Sequence, residues 1–281
     1  MSIMRKLREY LNRPLSFAVF LLIIISTVIT ALTVVFIIGY IFIKGVPNLS
    51  LELFSLKYSS SNQSMLPSII NTVYLTALTL LLAVPIGIFS AIYLAEYSRK
   101  NSFFVKIINI ANETLSGIPS IVYGLFGFLA FVISKKWGYS LLAGVVTLAI
   151  MVLPLIIRTS QEAMLGVDNT FREASYGLGA GKLRTVFKIV LPSAMPGILS
   201  GIILAIGRIV GETAALIYTA GTVPEAATKL TSSSRTISVH LYCLLNEGLY
   251  TEQAYATAVV LIVFVVIINA LSNALAKKIM K

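Results

Sequence analysis

Charged residues are scarce in this sequence, and acidic ones are the scarcest. Asp, Glu, Lys and Arg make up 12% of the 281 residues, whereas hydrophobic residues make up 57%. Soluble domains carry about 25% charged and about 45–50% apolar residues. A soluble core could not bury this much apolar surface, so the composition excludes a soluble enzyme and predicts an integral membrane protein.

Cysteine is nearly absent as well, since Cys243 is the only one and an internal disulfide is therefore impossible. The 22 basic residues outnumber the 11 acidic ones, which leaves a net charge of +11. A nucleic-acid-binding protein would gather such charge on a polar face with stacking aromatics, but here the basic residues flank apolar runs. We predict neither nucleic-acid binding nor a catalytic or metal site.

Six apolar segments are long enough to cross a membrane, because a spanning helix needs about 20 mostly apolar residues. The first one could be taken for a signal peptide, but residues 15–43 exceed the 7–15 apolar residues of such a peptide, so we interpret them as a retained helix. We predict an all-α protein with one transmembrane domain over residues 16–281. Its spans are expected at about 16–43, 68–95, 107–134, 139–157, 194–220 and 254–276.

The distribution of basic residues predicts the orientation of these spans. With the N-terminus inside, fifteen of the 22 lysines and arginines fall in cytoplasmic segments and six in outer ones. This matches the positive-inside bias. We therefore expect a multi-pass protein of the cell membrane with residues 1–15, the C-terminus and the loop 158–193 in the cytoplasm.

The cytoplasmic loop holds most of the polar sequence information. Thr170 followed three residues later by Glu173 forms a capping-box pattern, which predicts a helix starting there. Gly181 then predicts a break, and Pro192 the end of a second, basic helix. The glycine-rich run at 177–182 resembles a phosphate-binding loop, but its spacing is wrong and Leu183 stands where such a loop needs Ser or Thr. Any ATP hydrolysis must come from another chain.

The same loop resembles the EAA loop of permeases from ATP-binding-cassette (ABC) importers. That signature is Glu-Ala-Ala, three residues, Gly, nine residues, Ile, one residue and Leu-Pro, and Ser175 is the single departure from it. The matching positions are Glu173, Ala174, Ser175, Gly179, Ile189, Leu191 and Pro192. The resemblance implies that residues 173–179 form a coupling helix seated in a cleft of an ATPase subunit. The alternative is an ordinary interfacial pair of helices between two spans.

Two charged residues interrupt the fifth span. An ion in hydrocarbon costs about 2.5–3.5 kcal/mol even on insertion scales, so it indicates a functional site. Arg208 lies close to the expected middle of the membrane, and Glu212 is expected one turn further on the same face. The forked donors of arginine match a tetrahedral oxyanion. The Glu212 carboxylate could accept a hydrogen bond from a protonated phosphate oxygen, and Thr213 could add a hydroxyl to the site. The alternative is an Arg208–Glu212 pair that only locks helix packing.

Other polar residues in the spans give weaker signals. Glu113 opens the third span and precedes Pro119, which frees a backbone carbonyl. This is typical of a substrate pathway, or of a plain proline kink at the cytoplasmic end. Asn71, Thr72 and His240 are interpreted as packing residues.

Beyond this loop, the sequence is similar to the A-type permease subunits of phosphate importers, the PstA family. Residues 208–214 resemble the Arg-x-x-Gly-Glu-Thr-Ala element of phosphate permeases, and residues 83–87, 91–94 and 117–124 also resemble the family. The resemblance implies a MetI-like fold and a heterodimer with a sister C-type permease. It also implies two ATPase subunits that bind ATP and Mg, and an extracytoplasmic phosphate-binding protein; no cofactor is expected in this chain.

Two alternatives to this function stay open. One is a permease for another oxyanion, molybdate or sulfate. The other is a secondary transporter, which would need its own coupling-ion site or comparable repeats.

Overall fold

The computed structural model of the chain describes residues 14–98 and 102–279. The regular secondary structure of these residues is helical, without any β-strand. The expected all-α fold is confirmed. The helices are α1 Pro14–Gly45, α2 Leu66–Ile92, α3 Phe103–Gly117, α4 Ser120–Gly127, α5 Leu141–Leu165, α6 Asn169–Gly177, α7 Lys182–Thr185, α8 Leu191–Gly211, α9 Ala214–Thr219, α10 Ile237–Glu247 and α11 Thr251–Ile279. Wider π turns extend α2 over Tyr93–Tyr97 and α4 over Phe128–Ser134, and join α7 to α8 over Val186–Val190.

Five helical segments among the described residues are long and apolar enough to cross a membrane. They are Leu15–Asn48, Leu66–Tyr97, Leu141–Leu165, Lys182–Gly211 and Thr251–Lys278. A bent pair, α3 with α4, supplies a sixth crossing if it is counted as one span. This arrangement agrees with the expected six spans, whereas the N-terminal segment up to residue 13 lies outside the described residues.

The third span, expected at 107–134, is not one continuous helix, and its break falls at Pro119, where a proline kink was one of the two interpretations of the sequence. The chain turns by 101° between α3 and α4, at Ile118 and Pro119, which both have extended backbones. Proline lacks an N–H and disfavours helical geometry in the residue before it. The carbonyl of Leu115, which an uninterrupted helix would bond to residue 119, instead accepts the Tyr123 hydroxyl at 2.7 Å. The break therefore has its own internal support.

A fifth span is present, but its bounds differ at both ends from the predicted 194–220. Helix α8 ends at Gly211, and Glu212 has an extended backbone before α9 begins at Ala214. At the other end, Pro192 does not stop the preceding helix, because helical structure continues from Lys182 to Gly211. Pro192 lies in the first turn of α8 directly after a π turn, a position that tolerates a missing N–H.

The fourth span, predicted at 139–157, is longer than expected. Helix α5 continues to Leu165, so the first eight residues of the predicted loop 158–193 are helical rather than connecting. Apolar length underestimates this helix because its last two turns carry polar side chains, which water can solvate outside the hydrocarbon.

Helix α5 is the centre of the fold. It packs most extensively against α2 and α8, and together with residues of α4 and α9 these helices form the main hydrophobic core. In contrast, none of the most apolar window of α1 is buried, and α1 contacts mainly α11. The central unit of α2, α5 and α8 thus carries Asn71 and Arg208, and α1 is peripheral in this chain.

Candidate functional site

The two broken helices meet in the middle of the fold. A Cβ atom added at Gly124 of α4 would lie 2.8 Å from the Cα of Ala215 and 3.1 Å from the carbonyl oxygen of Ala214. Only glycine allows two backbones to approach this closely. Because Ala214 and Ala215 open α9, the contact brings α4, with the Ile118–Pro119 break before it, against the Glu212–Thr213 break.

Arg208 lies in the last turn of α8, just before the second break, and is half-buried. No carboxylate within the described residues forms an ion pair with its guanidinium at 4.0 Å or less. Its charge acts electrostatically on Tyr123, the residue that supports the first break. A half-buried arginine without a carboxylate partner retains the capacity to attract an anion.

The expectation that Glu212 lies one turn beyond Arg208 on the same helical face was wrong, because α8 ends between them at Gly211. The alternative, an Arg208–Glu212 ion pair, does not form either among the described residues. The buried Glu212 carboxylate instead accepts a hydrogen bond at 3.1 Å from the backbone N–H of Ala215, in the first turn of α9. Its backbone carbonyl accepts the Ser238 hydroxyl of α10 at 2.6 Å. Glu212 therefore connects the break to α9 through its side chain and to α10 through its backbone. Its second carboxylate oxygen accepts no hydrogen bond from the described residues.

Thr213 and Glu113 lie in different surroundings. Thr213 is half-buried at the break, and its hydroxyl makes only a long 3.4 Å contact to the Gly211 carbonyl. Glu113 is exposed on α3, in a cleft of about 200 Å³ that Arg158 and Glu162 of α5 also line. The structure thus groups Arg208, Glu212 and Thr213 at the second break and places Glu113 in a separate polar cleft.

The coupling segment begins two residues earlier than its capping-box pattern indicates. The cap of α6 is Asp168, whose carboxylate accepts the backbone N–H of Thr170 at 2.9 Å and also its hydroxyl. These hydrogen bonds lower the pKa of the exposed Asp168 carboxyl below its ordinary value. Thr170 is therefore not the cap, since an acidic residue two positions earlier satisfies the free amides more directly. Glu173 and Ala174 lie on the exposed surface of α6.

Ser175 has the opposite orientation from its two neighbours. It is buried, and its hydroxyl shares a 2.8 Å hydrogen bond with that of Thr185 in α7. Gly179 follows with a φ of +81°, a conformation that glycine adopts without strain. These two residues fold α6 back onto α7 and leave Leu178 at the turn 90% exposed.

A surface cleft of about 330 Å³ lies along this turn. Gly179 and the half-buried Ile189 line it, together with Arg184 and Lys188. Of the last two signature residues, Leu191 is half-buried and Pro192 is exposed. The signature therefore combines residues that shape the turn with residues that are open to a partner.

Two sets of polar contacts in the structure were not predicted from the sequence. Arg172 of α6 forms a partly buried ion pair with Glu96, 76 residues away, and no local pattern signals such a partner. Asn71 of α2, interpreted as a packing residue, bonds the loop before α10 through the carbonyls of Glu225 and Arg235. A buried asparagine in an apolar span is the one signal that could have indicated a docking role.

A cluster of buried polar side chains fixes the start of α10. The Arg235 guanidinium lies 4.7 Å from the centre of the Tyr58 ring, and Tyr58 meets His240 edge to face. Burial, and secondarily the Arg235 charge, lowers the pKa of His240 to about 3, so its imidazole is neutral at physiological pH. The cluster and the hydrogen bond from the Ile237 N–H to Thr72 tie α10 to the rest of the fold.

Comparison with known proteins places this architecture in a family. Residues 83–281 match the family described as binding-protein-dependent transport system inner membrane component. The chain is 32% identical over 249 residues to the probable ABC transporter permease protein YqgI of Bacillus subtilis, which covers 82% of this chain and 84% of the relative. It is 35% identical over 230 residues to the phosphate transport system permease protein PstA of Pasteurella multocida, with 80% and 81% covered.

Solved structures agree with this assignment at the level of the fold. A bacterial ABC transporter involved in the import of the acidic polysaccharide alginate superposes with a TM-score of 0.67, 17% identity and coverage of 99% of this chain and 100% of that chain. The inward-facing MetNI methionine ABC transporter gives 0.58 at 17% identity, with 76% and 94% covered. The chain therefore belongs to the family of binding-protein-dependent transport system inner membrane components and has the MetI-like permease fold.

Proposed function

We propose that this chain is the A-type permease subunit of an ATP-driven importer that moves inorganic phosphate into the cytoplasm. The observation that carries this proposal is the 35% identity to a phosphate transport system permease over 80% of the chain. A further PstA relative, from Haemophilus influenzae, is 36% identical over 198 residues, or 70% of this chain. In this proposal the chain itself does not hydrolyse ATP. Glu113 forms part of the substrate pathway on the cytoplasmic side.

The chemistry of the second break supports an anionic cargo. Arg208 is half-buried and lacks a carboxylate partner within the described residues, so its forked donors can meet a tetrahedral oxyanion. One Glu212 carboxylate oxygen accepts a hydrogen bond from the Ala215 N–H, and the other is able to accept a hydrogen bond from a protonated oxygen of the cargo. Phosphate carries such a proton near neutral pH and sulfate does not, so the pair of residues favours phosphate. Thr213 adds a hydroxyl at the same break.

The exposed surface of α6 supports coupling to separate ATPase subunits. Glu173 and Ala174 are exposed there, and the apolar Leu178 protrudes beside them at 90% exposure. Exposing an apolar side chain to water is unfavourable, and burying it in a partner's cleft is favourable. In the proposed complex two ATPase subunits bind ATP and Mg, a sister C-type permease completes the pathway, and an extracytoplasmic phosphate-binding protein delivers the cargo. Both termini of the chain face the cytoplasm, as the distribution of basic residues indicates.

Reconstitution tests the proposal directly. The chain, co-expressed with its sister permease and ATPase subunits, is placed in vesicles with the binding protein, and uptake of radiolabelled phosphate is measured with and without ATP. We expect ATP-dependent uptake that excess unlabelled phosphate abolishes and that sulfate or molybdate leaves unchanged. Uptake without ATP, or stronger competition by sulfate or molybdate, would refute the proposal.

An arginine variant tests the site. Arg208→Ala should reduce uptake by at least about tenfold, because one lost charge-assisted hydrogen bond costs about 1.5–3 kcal/mol, while the complex still assembles. Lys57→Ala is a matched control, since Lys57 is an exposed cation in the loop before α2. Equal uptake by Arg208→Ala and Lys57→Ala would contradict the assignment of Arg208.

A further inference from the structure

A partly buried ion pair joins α6 to the end of α2. The Arg172 guanidinium donates two hydrogen bonds to one Glu96 oxygen, at 2.6 Å from Nη2 and 3.1 Å from Nε. The two side chains are only 13% and 7% exposed. The other ion pair recorded in the described part of the chain, Arg158–Glu162, lies within one helix and is more than half exposed on both sides. Only the Arg172–Glu96 pair links separate elements.

The same guanidinium also binds the end of α5. Arg172 Nη2 donates to the Met164 carbonyl at 2.8 Å, and Nη1 donates to the Val167 carbonyl at 2.7 Å. These carbonyls belong to the last turn of α5 and the connection that follows it, where free acceptors favour a cation. One side chain therefore connects α6, α5 and the π turn that ends α2, and a planar fork with five donors suits this geometry.

The linked helices lead to the candidate substrate site. The α2–α5 contact is the most extensive in the fold, and α5 also packs closely against α8, which carries Arg208. The opposite surface of α6, at Glu173 and Ala174, is exposed. A force applied to that surface would therefore be transmitted through Arg172 to the central helices, since a packed core moves as a body rather than deforming continuously.

We propose that Arg172, with Glu96 as its partner, is a positioning residue that transmits displacement of α6 to α2 and α5. This inference rests on the proposed function, in which an ATPase subunit displaces α6. The role differs from that of the exposed signature residues, because Arg172 faces the permease and not the partner. Its loss should leave ATPase docking intact and disconnect ATP hydrolysis from transport.

The test measures phosphate uptake per ATP hydrolysed in vesicles that contain the whole complex. The variants are Glu96→Gln, Arg172→Gln, Arg172→Lys and the exchange Glu96→Arg with Arg172→Glu. Lys106→Gln is the matched control, because it removes a cation from an exposed position of α3. We expect the two glutamine variants to lower uptake per ATP by about tenfold, within the range of coupling between sites. Arg172→Lys should give an intermediate ratio because one ammonium cannot reach all of these acceptors. The exchange should not restore the ratio, because a carboxylate at position 172 would face the Met164 and Val167 carbonyls.

The remaining outcomes separate this inference from the proposed function. If the unmodified complex shows no ATP-dependent phosphate uptake, the proposed function fails. If it shows uptake and the glutamine variants keep the unmodified ratio, only the role of Arg172 fails. Loss of the ATPase subunits on co-purification from Glu96→Gln, Arg172→Gln and Arg172→Lys alike would also overturn it, because the pair would then serve docking or folding. Retained ATPase subunits with a lowered ratio support it.

Discussion

Replacing Gly124 with alanine tests whether the two broken helices depend on the contact between α4 and α9. The added Cβ would lie 2.8 Å from the Cα of Ala215, with the carbonyl oxygens of Ala214 and Ala215 at 3.1 and 3.2 Å. All three are backbone atoms, which no change of rotamer can move away. Forcing one methyl group into such a packed contact costs about 1–3 kcal/mol. Gly124→Ala should therefore destabilise the fold by that amount, which is about 5-fold to 150-fold in the unfolding equilibrium.

The measurement is equilibrium unfolding of the purified chain in mixed micelles, followed by uptake in the reconstituted complex. Gly117→Ala is the matched control, because Gly117 ends α3 just before the first break and a Cβ there meets nothing within 4 Å. The control should unfold like the unmodified chain, and Gly124→Val should be worse than Gly124→Ala. Equal stability of the Gly117 and Gly124 alanine variants would show that α4 and α9 do not approach as described.

Three further changes probe other parts of the chain. Asn71→Ala removes hydrogen bonds to two carbonyls and one N–H of the loop before α10, so it should cost about 2–4 kcal/mol and increase protease cleavage of that loop. Replacing the half-buried Asn48, which donates to the nearby Lys44 carbonyl, with alanine should not affect that loop. Ala174→Glu, at an exposed position, should leave unfolding unchanged but lower the amount of ATPase that co-purifies, and unchanged co-purification would contradict the docking role of α6. His240 has a folded-state pKa of about 3, below its unfolded value of 6.5. The unfolded state therefore binds the proton first as pH falls, stability should decrease below pH 6.5 by about 2 kcal/mol at pH 5, and His240→Gln should flatten this dependence in urea titrations.

Apolar length predicted the number of spans because it reflects a local requirement. A helix in hydrocarbon must satisfy its own backbone and expose apolar side chains, and both requirements are visible in about 20 consecutive residues. Prolines were harder to interpret. Pro119 interrupts helical structure, whereas Pro192 lies inside the continuous helical segment Lys182–Gly211, although both lie in apolar sequence. The outcome depends on neighbouring contacts, such as the Tyr123 hydroxyl that takes over the Leu115 carbonyl.

The turn signals in the coupling loop were only partly informative. The loop pattern predicted a helix, a break at Gly181 and a second helix, and all three are present. The residue with positive φ in this break is Gly179, for which no turn had been predicted. It did not indicate that Asp168 caps α6, or that Ser175 points inward to Thr185. Those choices depend on which side chains the fold brings within hydrogen-bond distance.

The sequence by itself determined that this is a multi-pass helical membrane protein, where its apolar segments lie and which permease family it resembles, since hydrophobicity and motif spacing act over short stretches of chain. Only the tertiary structure decided which polar residues meet. Spacing along an uninterrupted helix would have paired Arg208 with Glu212, but the end of α8 at Gly211 separates them, and Glu212 bonds α9 instead. Arg172 found Glu96 because the end of α2 and the start of α6 are brought together by α5, a relation across 76 residues that no local pattern encodes.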